Sequence, residues 1–263
     1  MYFIMQYQKE LQIAKRAAKE AGDYLMKKFN KPHQNKISYK KKQEIVTEAD
    51  IGADKIIDKI IKSEFPKHQI LSEELVRSKK KSDFLWIVDP LDGTNNFAHG
   101  VPIFAVCIAL AEKNNLKVGV VYLPYFKEIA WAVEDGGAYL NGKKIKASAI
   151  AKLDKSFIVT CHGYAPEYKR TDCHLHPLID KAAQTTRELG AAGYELVSTA
   201  RGHVEGGYII GTRPWDSAAG ALILREAGGK ATNFKGKEWK ISDNNILYSN
   251  GKIHDELLKI LGN

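Results

Sequence analysis

One stretch in the first half of the chain limits most strongly what the chain can fold into. An apolar run at residues 84–88 leads directly into Asp-Pro and then into Asp-Gly-Thr, which predicts a buried strand that ends in a loop of fixed shape. Pro90 fixes its own φ and favours an extended Asp89, while Gly93 lets the backbone approach a ligand closely. Asp89 and Asp92 are therefore expected to point at one locus.

Two carboxylates that converge at a dry strand end repel each other, so they persist only with a shared proton or a cation between them. Oxygen ligands of this kind favour magnesium, manganese or calcium. The alternative is an ordinary surface turn, because Asp-Gly is common in hairpins and Asp-Pro often begins a turn. The other acidic residues of the chain bear on this choice.

The size and composition of the chain fit a globular protein. Its 263 residues, 44% of them hydrophobic, suffice for one large domain or two lobes with a sizeable core. Three cysteines, Cys107, Cys161 and Cys173, argue against a disulfide framework or a zinc site and fit a reducing, cytoplasmic setting. No apolar stretch is long enough to span a membrane, and residues 1–5 are too short for a signal peptide, so Met5 could equally be the start.

The chain is basic, with a formal net charge of +9. Much of this charge lies in lysine runs at residues 40–42, 79–81 and 143–144. Such runs usually form solvated faces, so we interpret them as surface rather than as a nucleic-acid interface. They could still attract a phosphorylated substrate.

Periodicity predicts a mixed α/β fold of two lobes. An amphipathic helix is predicted at residues 7–29, then a polar loop at 30–42, then a helix after Thr47 in which Asp50 could complete a capping box. Strands are predicted at 69–71, 84–88, 103–111, 117–122 and 128–133, with a hairpin at 134–142. The second half alternates between strands at 157–160, 187–188, 206–210 and 246–249 and helices at 176–186, 192–200, 215–227 and 254–261.

We therefore expect an N-terminal α+β lobe at residues 1–147 that carries most of the metal ligands. A C-terminal α/β lobe at residues 148–263 would carry Asp216 and the substrate-side residues. The two lobes are expected to share a cleft, which would hold the site.

Five acids stand at the edges of predicted elements: Asp50, Glu73, Asp89, Asp92 and Asp216. Each has a simpler explanation of its own, since Asp50 could cap a helix, Glu73 could be solvated, and Asp216 could interact with a helix dipole. As a set they are what a site with two or three metals for phosphoryl transfer requires. Backbone amides around Gly93 could bind phosphate oxygens.

These motifs resemble the inositol monophosphatase family, magnesium-dependent and lithium-sensitive phosphatases of small phosphomonoesters. The resemblance rests on Val-Thr-Glu-Ala-Asp at 46–50, Ser-Glu-Glu at 72–74, residues 86–97, Pro-Trp-Asp-Ser-Ala-Ala-Gly at 214–220, and Glu-Ala-Gly-Gly at 226–229. It covers nearly the whole chain. It implies a layered α/β/α/β/α sandwich of the sugar-phosphatase type, with the metal site between two lobes, commonly assembled as a homodimer.

The resemblance also implies roles for individual residues. Glu73, Asp89 and the Leu91 carbonyl would hold one Mg²⁺, and Asp89, Asp92 and Asp216 a second. A third, weaker Mg²⁺ would sit on Glu73, Mn²⁺ could substitute, and Li⁺ would inhibit. Thr94 and Asp50 would form a relay that, with Glu73, activates the attacking water. Substrate contacts would come from Leu91, Asp92, Gly93, Thr94, Asp216 and Arg213.

Two departures from the family pattern concern substrate choice. Ile209 stands where animal inositol monophosphatases have a glutamate for inositol hydroxyls, and Gly190-Ala191-Ala192 lacks the usual hydroxyl residue. Arg213 could pair with a second anionic group. Inositol monophosphate or a related polyol or sugar phosphate is thus one candidate; histidinol phosphate, fructose 1,6-bisphosphate and a 3'-phosphonucleotide are others.

A different class of function is also open: a basic protein that recruits RNA or an acidic protein, with the phosphatase site incidental. The intact acids argue against it. His99, His162, His174 and His176 lack metal-ligand spacing, so we interpret them as surface or loop residues, and Cys161 and Cys173 as ordinary thiols.

Overall fold

The computed structural model describes residues 6–29, 37–41, 44–74 and 82–262. The first long helix, α1 (Gln8–Phe29), is followed by a short antiparallel strand pair, β1 (Ile37–Lys41) and β2 (Glu44–Thr47), and by helix α2 (Glu48–Glu64). The prediction for residues 30–42 was a loop. Strand β1 corrects it within the described part, while residues 30–36 and 42 lie outside the described residues.

The next part of the chain forms a seven-stranded sheet. Its strands, in spatial order, are β3 (Gln69–Ser72), β4 (Phe84–Asp92), β5 (Ala105–Glu112), β6 (Asn115–Leu123), β7 (Glu128–Val133), β8 (Ala138–Leu140) and β9 (Lys143–Lys144). β3 is parallel to β4, and the other neighbours are antiparallel. The predicted run of antiparallel strands and its hairpin are confirmed.

A short helix, α3 (Thr94–Ala98), follows β4, and a second sheet is built from the rest of the chain. Its five strands, in spatial order, are β11 (Thr185–Glu188), β10 (Phe157–His162), β12 (Gly206–Ile210), β14 (Asn245–Ser249) and β13 (Lys230–Thr232). The helices that alternate with them are α4 (Pro166–Ala182), α5 (Ala192–Ala200), α6 (Pro214–Glu226) and α7 (His254–Leu261).

Three apolar cores hold these elements in five layers. α1 and α2 pack on the outer face of the seven-stranded sheet, where Leu11, Ile57 and Trp86 belong to one apolar cluster. α5 and α6 lie between the two sheets, with Leu196 and Ile223 in one cluster that contains residues of both sheets. α4 and α7 cover the far side of the second sheet. The predicted α/β/α/β/α sandwich is confirmed, while the division at residues 147 and 148 stays a prediction.

Two element predictions were wrong in detail. The helix predicted at residues 176–186 is α4, which begins ten residues earlier, at Pro166, and ends at Ala182. Only Asp172 and Ile179 of this helix are buried, so its first turns lack the apolar stripe on which the prediction depended. β13 was not predicted at all. In the described ranges, no helix is both long and apolar enough to cross a membrane.

Candidate active site

The Asp-Pro-Leu-Asp segment lies within a strand and not in a loop after it. β4 continues past Val88 to Asp92, with a shift of register against β5 between Asp89 and Asp92. Pro90 has no N–H to donate, and such a bulge is where a strand tolerates it. The Leu91 N–H donates to Asp89 Oδ1 at 3.0 Å, so the bulge orients the first carboxylate.

Gly93 ends the strand with a left-handed φ of 84°. A Cβ at this position would lie 2.9 Å from the backbone oxygen of Ile103, so only glycine fits both the dihedral and the space. The turn at Gly93 starts α3 at Thr94. The Asp-Gly-Thr sequence thus places Thr94 directly beside the two aspartates.

Asp92 connects the two halves of the molecule. Its Oδ1 accepts the Ala192 N–H and its Oδ2 accepts the Gly193 N–H, both at 2.8 Å. These amides begin α5, where the helix dipole favours a negative charge. Burial raises the pKa of Asp92 to about 7, against the lowering effect of the amides, so burial outweighs the hydrogen bonds.

Asp50 and Thr94 form a buried network behind the strand end. Thr94 Oγ1 is 2.9 Å from Asp50 Oδ1 and 2.9 Å from the Leu91 carbonyl oxygen. Asp50 Oδ2 accepts the Thr47 hydroxyl at 2.6 Å and the Thr47 N–H at 2.8 Å, which confirms the predicted capping box of α2. Burial raises the pKa of Asp50, and the hydrogen bonds from Thr47 and Thr94 oppose it.

A cavity of about 410 Å³ opens at these residues, between β4 and the second sheet. Asp89 lies at its base with 2% of its surface exposed. Burial raises the pKa of Asp89 well above its usual value, and the nearby charges of Glu73, Asp92 and Asp216 raise it further. Asp216 reaches the cavity from the first turn of α6, where its Oδ2 accepts the Arg213 N–H at 2.7 Å.

The structure brings most of the predicted site residues to this cavity. Its walls include Glu73, Asp89, Leu91, Asp92, Gly93, Thr94 and Asp216. Asp50 lies behind Thr94 and is not part of the walls. Arg213 is exposed at the start of α6 and does not line the cavity, so its contact with a second anion remains a prediction only.

The sequence reasoning missed the opposite wall. Cys161 and His162 at the end of β10 and Glu188 at the end of β11 line the same cavity. The sequence suggests only an ordinary thiol for Cys161 and a surface or loop residue for His162. Asn95, whose Nδ2 donates to the Tyr164 hydroxyl at 2.8 Å, stands at the mouth. No signal in the sequence marks this wall, because it forms only when long-range pairing places the ends of β10 and β11 beside β12, which carries Ile209.

The donor set at the base of the cavity is chemically suited to a hard cation. It consists of carboxylate oxygens and the Leu91 carbonyl, the ligand types that Mg²⁺ prefers. A buried aspartate whose ionised form is opposed by three other acids is stabilised by a cation. Within the described ranges, no group of three or more His, Cys, Asp or Glu side chains is placed so that it could hold a metal ion. Mg²⁺ usually keeps several waters and uses substrate phosphate oxygens as further ligands.

Acids gathered at strand ends, in a cavity between the two sheets of a five-layer α/β sandwich, are the arrangement of a phosphoric monoester hydrolase, and the chain belongs to that class of protein. Within the class, it is a member of the inositol monophosphatase family, whose sequence profile matches residues 6–263. The resemblance inferred from the motifs is thereby confirmed.

Several known proteins are similar to this chain over most of its length. An inositol-1-monophosphatase from Synechocystis sp. is 39% identical over 256 residues, which cover 95% of this chain and 88% of that protein. A fructose-1,6-bisphosphatase/inositol-1-monophosphatase from Thermotoga maritima is 37% identical over 219 residues, 83% of each chain. The solved structure of the extragenic suppressor protein suhB from Bartonella henselae has a TM-score of 0.92 at 32% identity, covering 96% of this chain and 98% of that one.

Proposed function

We propose that this phosphatase hydrolyses inositol monophosphate, or a related polyol or sugar phosphate, by a Mg²⁺-dependent attack of water. The observation that carries the proposal is the burial of Asp89 among Glu73, Asp92 and Asp216 at the base of the cavity. A protein gains nothing in stability from four acids so placed. Their arrangement is explained if cations and a phosphate group occupy the cavity during the reaction.

Glu73, Asp89 and the Leu91 carbonyl would hold one Mg²⁺, and Asp89, Asp92 and Asp216 a second; a third on Glu73 and replacement by Mn²⁺ belong to the same proposal. Bound Mg²⁺ supplies Lewis-acid stabilisation of the phosphate and lowers the pKa of water. Li⁺ is expected to inhibit. Asp92 is oriented for this task by the two α5 amides.

Thr94 and Asp50 would move the proton of the attacking water. The Thr94 hydroxyl has one hydrogen and lies 2.9 Å from Asp50 Oδ1, so it can donate to the carboxylate while its lone pair accepts from water. Thr47 fixes Asp50 through Oδ2, which leaves Oδ1 directed at Thr94. Glu73 lines the same cavity as Thr94 and would orient the water.

The volume of the cavity agrees with a small substrate, since ligand sites commonly measure about 300–1,000 Å³. Fructose 1,6-bisphosphate is a second candidate, because the relative from Thermotoga maritima carries that activity in its name. Histidinol phosphate and a 3'-phosphonucleotide remain further candidates.

We also propose a cytoplasmic homodimer. The three cysteines are free, as fits a reducing compartment, and the resemblance implies the dimer.

The test is phosphate release from inositol 1-phosphate with and without Mg²⁺, in the wild type and in Asp89→Asn, Asp216→Asn and Thr94→Val. Asp154→Asn is the matched control, since Asp154 is exposed and lies outside the cavity. We expect Mg²⁺-dependent release that the control retains, that both aspartate variants abolish, and that the threonine variant lowers about 100-fold or more. Activity without added or tightly bound metal, or full activity in Asp89→Asn, would refute the mechanism.

A further inference from the structure

The wall of the cavity opposite the metal-ligand candidates belongs to the second sheet and has no part in the hydrolysis proposed above. It is formed by the ends of β10 and β11, which are parallel neighbours with Thr160 opposite Glu188. His162 and Glu188 line the cavity from this side. Both side chains retain contact with solvent, as expected for groups that a substrate covers on binding.

The two side chains lie close together without a direct hydrogen bond between them. His162 Nδ1 lies 2.9 Å from the Gly163 carbonyl oxygen, and because that oxygen can only accept, Nδ1 carries a hydrogen. Nε2 is then the nitrogen that faces Glu188 Oε1, at 3.8 Å. This distance exceeds that of a direct hydrogen bond. The carboxylate and the ring nitrogen can therefore each bind a separate group of a ligand.

The order of strands places this pair at a definite distance from the apolar side of the cavity. β10 lies between β11 and β12, and Cys161 of β10 is opposite Ile209 of β12. Glu188 is in register with Thr160 of β10 and so with Tyr208 of β12, two strand spacings or about 10 Å away, and Ile209 is the next residue along β12. Ile209 offers a ligand only apolar contact, whereas Glu188 supplies a carboxylate acceptor to the same cavity.

Cys161 belongs to the same wall, and its pKa is affected by charges on both sides of the cavity. Burial raises its pKa well above the usual value, and the charges of Glu195, Glu188, Asp92 and Asp216 raise it further. The charge of Glu188 therefore acts in the same poorly solvated space as the carboxylates at the base. Asp92, Glu188 and Asp216 line one cavity, so a ligand whose phosphate sits at the two aspartates occupies the same space that Glu188 faces.

The charge of the walls limits what that other end can be. Among the described residues that line the cavity there is no lysine or arginine, whereas five are acidic: Glu73, Asp89, Asp92, Glu188 and Asp216. A phosphate at the base has cations to neutralise it, but a second phosphate beside Glu188 would meet a negative charge. Hydroxyl groups, in contrast, can donate to a carboxylate.

We infer that Glu188 and His162 form a hydroxyl-recognition wall, which binds neighbouring hydroxyl groups of a polyol phosphate and disfavours a substrate with a second phosphate at that end. The inference rests on the proposed function and specifies its substrate class. Glu188 accepts one substrate O–H, and His162 Nε2 forms a hydrogen bond with a second hydroxyl group. The wall determines specificity and takes no part in the bond cleavage.

The experiment compares the wild type with Glu188→Gln on three probes: inositol 1-phosphate, fructose 1,6-bisphosphate, and phenyl phosphate, which has no hydroxyl group beyond its phosphate. Glutamine keeps the shape of the side chain but removes the charge. Glu256→Gln is the matched control, because Glu256 is exposed on α7 and outside the cavity. The readout is kcat/KM for each probe, expressed as the two ratios inositol 1-phosphate to phenyl phosphate and inositol 1-phosphate to fructose 1,6-bisphosphate.

We expect both ratios to fall about tenfold in Glu188→Gln, mainly through KM for inositol 1-phosphate, because a charge-assisted hydrogen bond is replaced by a weaker neutral one. The control is expected to keep the wild-type ratios. Ratios that are equal in the wild type and Glu188→Gln overturn the inference and leave the proposed function intact. If the wild type hydrolyses none of the probes with Mg²⁺, the proposed function fails. In that case, equal affinity of the wild type and Glu188→Gln for inositol 1-phosphate, measured by calorimetry, would also refute the hydroxyl-recognition wall.

Discussion

Substitution of Gly193 by alanine tests how Asp92 is held against α5. A Cβ at residue 193 would lie 2.4 Å from the Cys107 sulfur and 3.2 Å from Asp92 Oδ2. Both neighbours are buried, so either the thiol must rotate or the start of the helix must withdraw. If the helix withdraws, the two amides that lie 2.8 Å from the Asp92 oxygens move with it.

The expected change in the free energy of unfolding of Gly193→Ala has three contributions. Overpacking of a close-packed site costs about 1–3 kcal/mol, and a weakened hydrogen bond to a charged group costs up to about 1.5–3 kcal/mol. Alanine is the better helix former by about 1 kcal/mol, which opposes them. We expect Gly193→Ala to lower the free energy of unfolding by about 2–4 kcal/mol, and kcat to fall as Asp92 is displaced, since a shift of about 1 Å can cost about 100-fold.

Urea denaturation of Gly193→Ala, Cys107→Ala and the double variant separates the clash from other effects. Removal of the sulfur makes space for the new methyl group, so the double variant is expected to be more stable than the sum of the single effects by at least about 1 kcal/mol. The double variant should also regain much of kcat. Strictly additive losses, or a Gly193→Ala protein as stable as the wild type, would refute the reasoning.

Three further variants test other parts of the site. Burial raises the pKa of Glu195 from 4.5 to about 8. The folded state therefore keeps a proton that the unfolded chain releases, so the free energy of unfolding falls as the pH rises through this range. In urea denaturation, Glu195→Gln should reduce this fall between about pH 5 and 8 by up to about 4 kcal/mol. Thr47→Val removes the hydroxyl that accepts the Ala49 N–H and donates to Asp50. The variant should lower the free energy of unfolding by about 1 kcal/mol and lower kcat with little change in KM. An unchanged kcat would contradict a role of Thr47 in orienting Asp50. Asp89→Asn removes a buried charge. In excess chelator at pH about 8, the variant should therefore melt about 2–4 °C higher than the wild type, and added Mg²⁺ should raise the melting temperature of the wild type only. A variant that melts lower than the wild type in chelator would contradict the electrostatic argument.

Local signals predicted much of this structure because they act within one turn or one strand. The Thr47 and Asp50 pair marks the start of α2 through a capping box that both side chains complete, and Pro214 marks the start of α6. The five acids could be collected from the sequence because each follows an element boundary. Their roles, in contrast, entered through the resemblance of the motifs.

The remaining features depend on contacts between distant parts of the chain. The apolar run that ends at Val88 and leads into Asp-Pro predicts the end of β4 there, but pairing with β5 resumes after the bulge, at Asp92 opposite Ala105. Glu188 follows only a short strand and belongs to no recognisable motif. Its place in the cavity arises from the parallel pairing of β11 with β10, which local periodicity does not reveal.

The hydrogen bonds between Asp92 and the first amides of α5 span one hundred residues and join elements that emerge at different times during synthesis. Chains are made and begin to fold from the N-terminus, so the first sheet can form while Asp92 still lacks its helix and the cavity still lacks Asp216. The nascent chain thus carries an incomplete site. If Asp92 and Asp216 act as proposed, phosphatase activity is expected only after both sheets have docked, and its recovery in a refolding experiment should report the last assembly step rather than the first.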